Sequence, residues 1–293
     1  LLLGTSRAYS EIARVDSDGR HWLRLGAALR IADFFASEAV RENIPGIEEF
    51  ETQFASSLVR NLATLGGNIV NASPVADLSA MLLGLGAWVE LGSLSGAGRE
   101  RRRQSLDSFF IGYKKTAMEA GEFVAAILLP ASSEGSEFAG SGAYDGEQGG
   151  KSLTGRFEGG IGFGARGGRL FFSFEKAAKR DNLDIAAVNT AMSFRMDDAF
   201  ARSVRISAGG VAEVPLLLGK AASAMEGSRI KGAKAKDLAE LCRTVRKLAE
   251  EELRPIDDVR GSASYRRSMI GRLVQAHFLR FFARDGIAEE LEP

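Results

Sequence analysis

The residues best equipped for chemistry lie together in the string Ala63-Thr64-Leu65-Gly66-Gly67-Asn68-Ile69-Val70-Asn71-Ala72-Ser73-Pro74-Val75-Ala76-Asp77-Leu78. Paired glycines at 66 and 67 let backbone approach a ligand with no Cβ in the way, and successive N–H groups of such a turn form a concave nest for an anion. Thr64, Asn68, Asn71 and Ser73 add short polar side chains at spacings suited to a phosphate, a ribose or the edge of a ring. On local chemistry alone, the string serves equally well as a tight strand-to-helix turn closed by Asp77. A ligand loop and a structural turn both remain open at this level.

Other chemistries are closed off by composition. Cys242 is the only cysteine, which leaves the chain unable to build a thiolate metal cage, an iron–sulfur cluster or an intrachain disulfide by itself. His21 and His277 are the only histidines and neither has a second ligand type at metal spacing, so no metal site and no histidine-centred catalytic residue is assigned. Lysines plus arginines equal aspartates plus glutamates at 38 each, which removes the electrostatic case for nucleic acid or an anionic membrane. No apolar run reaches the ~18 residues of a membrane span. The start, Leu1-Leu2-Leu3-Gly4, has no methionine and no cleavage pattern, and reads as a truncated or processed terminus. The default is a soluble, cytoplasmic protein.

The elements that must position these residues are legible in outline. A strand from Trp22 to Ala28 precedes helical patterns at Ala32 to Asn43 and Ile47 to Asn61. A glycine loop follows at Gly66-Gly67-Asn68, and Asp77 is placed to cap a helix from Leu78 to Leu85. Strands at Trp88 to Leu91 and Glu122 to Leu129, the second closed by Pro130, complete a mixed α and β domain over residues 1–130. Residues 131–168 are rich in glycine and serine with no apolar period, and read as a flexible insertion or linker. Beyond them come strands at Leu170 to Phe174 and Val204 to Ser207, a helical or mixed connection from Asp184 to Met192, and a turn at Gly209-Gly210. Helices at Leu217 to Glu226, Ala235 to Leu253 and Tyr265 to Phe282 finish a small α+β domain over 169–293.

The string from Thr64 to Asp77 resembles the second flavin-binding motif of the FAD domain in xanthine dehydrogenases and related molybdenum hydroxylases, T-x-G-G-N-I-x-x-x-S-P-x-x-D, with each fixed position present. Three further strings occur in the family's order. Phe109-Phe110-Ile111-Gly112-Tyr113-Lys114-Lys115-Thr116 is similar to F-F-x-G-Y-R-K-T, with Lys114 in the arginine position; Phe174-Glu175-Lys176, Lys179-Arg180 and Asp184-Ile185-Ala186 resemble F-x-K, R and D-I-A. Asp258 to Arg266 resembles D-x-R-x-S-x-x-Y-R of the CO dehydrogenase type of carboxy-terminal domain, a string read as fixing the last helix and left out of the site. The family's first, glycine-rich pyrophosphate loop has no equivalent here, and the match places it upstream of residue 1.

The resemblance implies an α+β chain: an FAD-binding domain of the vanillyl-alcohol-oxidase and xanthine-dehydrogenase type, followed by a small antiparallel sheet with helices. It implies FAD as cofactor, held by Thr64, Gly66, Gly67, Asn68, Asn71, Ser73 and Asp77, with Phe54 packed on the flavin, Lys115 near its phosphates and Lys176 near its ring. The plainer accounts are that Phe54 is a core residue sharing a face with Phe50 and that Lys114 and Lys115 are solvated lysines after a turn. It further implies partner chains carrying molybdopterin and 2Fe-2S clusters, and NAD⁺ or another acceptor. A scaffold subunit that has lost FAD and a stand-alone flavin reductase are the alternatives.

Overall fold

The computed structural model describes residues 7–93, 101–131, 168–180 and 183–291. The expected flexible insertion, apart from its end residues Ala131 and Gly168, lies outside them.

The chain opens with two strands, β1 (Ile12–Ser17) and β2 (Arg20–Gly26), joined through Asp18 and Gly19 at φ 55° and 69°. Two left-handed residues give the turn a twist that matches the strands it joins. The strand expected around Trp22 thus has an antiparallel partner that its polar sequence concealed. Among the described residues the first sheet has the order β1-β2-β7-β3-β4, where β3 is Trp88–Ser93, β4 is Arg101–Ser105 and β7 is Glu122–Pro130; each neighbouring pair is antiparallel. The central β7 reads Val124-Ala125-Ala126-Ile127-Leu128-Leu129 because both of its faces are covered, and all six residues are buried.

Helices pack on one side of this sheet in shorter pieces than the apolar period suggests. The expected helix Ala32 to Asn43 is divided into α1 (Ile31–Ala36) and α2 (Glu38–Asn43) by Ser37, which takes extended φ/ψ and accepts the Val40 N–H on its hydroxyl. Similarly, Ile47 to Asn61 resolves into a 3-10 turn, Ile47–Gln53, and α3, Ser57–Leu62, capped by Ser56. Serine caps compete with helix continuation, and period alone does not register them. Beyond them lie α4 (Leu65–Val70) and α5 (Asp77–Gly84), and a small hairpin, β5 (Phe110–Gly112) with β6 (Lys115–Thr116).

The second sheet, with order β11-β10-β9-β8, comprises β8 (Leu170–Ala177), β9 (Val188–Asp197), β10 (Phe200–Gly209) and β11 (Leu216–Leu217), all antiparallel. The stretch expected to be a helical connection from Asp184 to Met192 is therefore half strand. Val188 to Arg195 is buried on both faces, so it lacks the alternation that marks a strand with one wet side. One face, with Phe172, Phe174 and Ala191, joins the core of the first domain. The other, with Val188, Met192 and Phe194, is covered by α6 (Gly219–Met225), α7 (Ala235–Glu252) and α8 (Ala263–Phe282), with α9 (Ile287–Glu290) behind them.

Helix α5 lies where the two halves meet. Its residues Leu78 to Gly84 are all buried, as befits a helix packed on every side. Ser207 donates to Ala80 O at 2.7 Å, Ser193 to Gly84 O at 2.7 Å and Arg205 Nε to Leu83 O at 3.1 Å. Side chains of the second sheet thus bond the backbone of the helix that opens at Asp77.

Candidate functional site

The segment read as a glycine loop is helical. Thr64 accepts the Gly67 N–H on Oγ1 at 3.2 Å and caps α4, so the backbone turns into a helix at Leu65. The two glycines then have different duties. Gly66 is buried, its N–H bonds Ala27 O at 2.8 Å, and an added Cβ would lie 2.7 Å from Ala27 Cβ; it lets α4 pack directly on the chain after β2. Gly67 is exposed, and its added Cβ would meet only Thr64 Oγ1, at 3.0 Å. The Gly67 N–H is taken by Thr64 and its carbonyl accepts the Asn71 N–H at 3.1 Å, so what Gly67 presents to solvent is a face without a side chain.

After α4 the chain passes exposed Asn71, buried Ala72 and half-buried Ser73 and Pro74. Ala72 has φ 45°, Ala55 beside Phe54 has φ 47°, and Lys114 has φ 52°. Left-handed non-glycine residues are costly and collect where surroundings impose them, commonly at sites. Lys114 Nζ lies 3.5 Å from Asn71 Oδ1, which brings the β5–β6 hairpin to the loop. It is this lysine, and not the exposed Lys115 on β6, that makes the contact.

Asp77 was expected to cap α5, but Ala76 occupies that position and Asp77 is the first helical residue. Its carboxylate instead faces the second sheet: Oδ2 is 2.8 Å from Lys176 Nζ on β8, and Oδ1 accepts from Asn189 Nδ2 on β9 at 2.6 Å. The pair is nearly buried, at 7% and 11% side-chain exposure. Burial raises the Asp77 pKa, against the opposing pull of the Lys176 ammonium and the Asn189 amide. Lys176 also donates to Gln53 O at 3.0 Å, next to Phe54, and Asn189 to Val75 O at 3.3 Å. Asn189 escaped the sequence reading; the available signal was a lone amide in the apolar run Ala186 to Met192.

The remaining expected residues lie in the same region. Asn68 Oδ1 accepts from Ser79 Oγ at 3.3 Å, tying α4 to α5, and Ser73 O accepts the Ala76 N–H at 3.2 Å. Phe54 is only 7% exposed, its ring 6.3 Å from that of Phe35, so it sits in the core of the first domain. The other polar groups of note are remote in character. Cys242 is buried and its thiol is pushed up to about 12 by burial. His277, fully buried between Ser173 and Thr190, is lowered to about 3 by burial and, secondarily, by the Arg280 charge.

Comparison with known proteins matches the FAD binding domain in molybdopterin dehydrogenase to residues 8–132 and the CO dehydrogenase flavoprotein C-terminal domain to residues 173–281. Nicotinate hydroxylase of Emericella nidulans is 30% identical over 232 residues, 78% of this chain and 14% of that protein. Xanthine dehydrogenase/oxidase of Gallus gallus is 26% identical over 218 residues, 70% of this chain and 13% of that protein. The chain thus spans only a small part of these two relatives. It covers 74% of the glyceraldehyde dehydrogenase medium chain of Sulfolobus acidocaldarius, at 24% identity over 254 residues and 87% of this chain. The fold is that of a chain of carbon monoxide dehydrogenase from Hydrogenophaga pseudoflava (TM-score 0.70, 23% identity, 92% of this chain and 76% of that one). It is also that of a chain of quinoline 2-oxidoreductase from Pseudomonas putida 86 (TM-score 0.71, 23% identity, 97% and 81%). With the two matched in order on either side of the glycine-rich stretch, the chain pairs the FAD binding domain of molybdopterin dehydrogenases with the CO dehydrogenase flavoprotein C-terminal domain.

Proposed function

We propose that this chain is the FAD-carrying, electron-transferring component of a molybdenum hydroxylase of the xanthine dehydrogenase kind. It receives electrons from 2Fe-2S clusters fed by a molybdopterin centre on other subunits or domains, and passes them to NAD⁺ or another acceptor in the cytoplasm. The observation that carries the reading is the exposed face of Gly67, without a side chain and set among short polar side chains, on the segment that ends at the buried Asp77–Lys176 pair. An exposed glycine in a segment otherwise tightly packed lets a ligand approach the chain closely, with no Cβ in the way.

The residues present fit a dinucleotide. Thr64, Gly66 and Asn68 shape the segment from within by cap, close packing and the bond to Ser79. Gly67 offers an exposed face without a side chain, Asn71 and Ser73 offer short polar groups, and Lys114 and Lys115 supply positive charge on the neighbouring hairpin. Asp77 and Lys176 provide one hydrogen-bond acceptor and one donor in a nearly dry setting, where such groups orient a heterocycle strongly. Phe54 adds an apolar edge beside Gln53. Bound FAD supplies the redox chemistry, and the protein supplies placement and electrostatics, so no general acid or base is assigned. The single cysteine puts any cluster on another polypeptide segment.

Titration of FAD into the purified chain, followed by flavin fluorescence, tests this directly. The native chain is expected to take up one FAD and to reduce a dye slowly with NADH, without acting on xanthine-like substrates until molybdenum and iron–sulfur partners are added. Gly67→Val is expected to stay folded and lose the flavin. Stoichiometric FAD in a folded Gly67→Val protein overturns the site, and substrate oxidation by this chain alone overturns the electron-transfer role.

A further inference from the structure

The turn after β10 is held from both sides. Gly210 has φ +78°, and a Cβ there would lie 2.4 Å from Ala187 O; a Cβ on Gly209 would lie 2.3 Å from Asn189 Oδ1 and 3.1 Å from Pro74 O. No side chain fits between this turn, the 71–77 loop and β9. The Gly210 N–H donates to Pro74 O at 2.7 Å, and the Gly210 carbonyl accepts from Arg266 Nη1 at 2.6 Å. One residue thus joins the loop on one side to a guanidinium on the other.

Arg266 is 3% exposed, sits in the first turn of α8, and pairs through Nη2 with Asp258 Oδ1 at 2.5 Å. Its Nε is buried with no hydrogen-bond partner among the described residues. Burying a guanidinium this far is costly unless it secures something. Fixing the start of α8 does not require it, because the Ser262 hydroxyl accepts the Tyr265 N–H and the Asp257 carboxylate accepts the Ala263 N–H. What the guanidinium adds is a charge-assisted bond to the carbonyl of Gly210, stronger than a neutral one.

We infer that Arg266, oriented by Asp258, is a positioning residue for the 71–77 loop, acting through Gly210 on Pro74. The string Asp258 to Arg266 then serves the flavin site at one remove as well as the last helix. The inference rests on the FAD reading for the identity of the ligand, though not for the mechanical link.

Arg267 provides an internal control. It is the next residue on the same helix and also clasps backbone carbonyls, those of Glu250 and Leu253, but these belong to the end of α7, whose own link to the turn is the Arg254 N–H on Val211 O at 2.9 Å and not the Gly210–Pro74 bond. Arg266→Lys keeps a cation facing Asp258 and loses the fork that reaches Gly210 O at the same time. In the full chain without FAD, hydrogen–deuterium exchange of the peptide spanning 71–77 is expected to quicken about 10-fold in Arg266→Lys, as loss of one charged hydrogen bond implies. FAD affinity should fall by a similar factor, about 10-fold. Asp258→Asn, which leaves the arginine in place, should give a smaller change of the same sign, and Arg267→Lys should lower the melting temperature with neither effect. Unchanged exchange at 71–77 in Arg266→Lys and Asp258→Asn, or equal change in Arg267→Lys, overturns the inference. Faster exchange in Arg266→Lys, together with a native chain that takes up no FAD, supports the mechanical link and removes the flavin reading alone.

Discussion

At Asp77, burial raises the acid's pKa while Lys176 and Asn189 pull it down, and burial prevails. An acid whose folded pKa exceeds its unfolded one stabilises the fold in acid, and that contribution is lost as pH rises through the folded value. In Lys176→Met the cation that opposes the rise is gone, so Asp77 resists ionisation further. The variant is expected to be nearly as stable as the native chain around pH 4 and less stable by about 3 kcal/mol near pH 8, the scale for stranding a buried partner. Urea denaturation across that range measures it; a pH-independent difference would mean that Asp77 is not the group responsible. At this scale the sequence spoke clearly about residue types. Gly67, Asn71 and Asp77 were all visible in one string, yet the division of labour between Gly66 and Gly67 was not, because it depends on Ala27 lying against the first while the second faces solvent.

Among the elements, α5 depends on how closely it meets β9. An added Cβ at Gly84 would lie 2.8 Å from Ala191 Cβ, 3.1 Å from Ser207 Oγ and 3.2 Å from Ala191 O. Gly84→Val forces the helix off the second sheet, and overpacking of this kind costs about 1–3 kcal/mol. The expected result is a lower urea midpoint together with weaker FAD binding, since the same helix begins at Asp77; a stable variant with native affinity would show that the contact yields easily. The sequence marked α5, α7 and α8 to within two residues because long or strongly apolar periods persist in them. It failed at Ser37, at α4 and at β9, where a serine cap, a threonine cap and burial on both faces override local pattern.

Across the whole molecule, the second sheet serves both halves, contributing Phe174 to one core and Phe194 to the other. His277 of α8 crosses to this sheet, bonding the Thr190 hydroxyl at 2.8 Å and the Ser173 hydroxyl. Its folded pKa, lowered to about 3 from 6.5, means that the unfolded chain binds the proton first, so the native chain loses stability as pH falls from about 6.5 towards 3. His277→Gln is expected to be destabilised at neutral pH and to lack most of this acid dependence, as read from denaturation midpoints at a series of pH values. If native and variant curves stay parallel, other groups govern acid unfolding.

The amino-acid sequence by itself determined the family strings, the order of the two domains and the α+β class, because these rest on residue types at short spacing and on local period. Only the tertiary structure decided that Asp77 meets Asn189, 112 residues away, and Lys176, 99 residues away, and that Gly210 and Arg266 support Pro74. The reason is physical: a buried polar group takes whichever partner the packing of distant elements brings within about 3 Å, and no local pattern encodes that meeting.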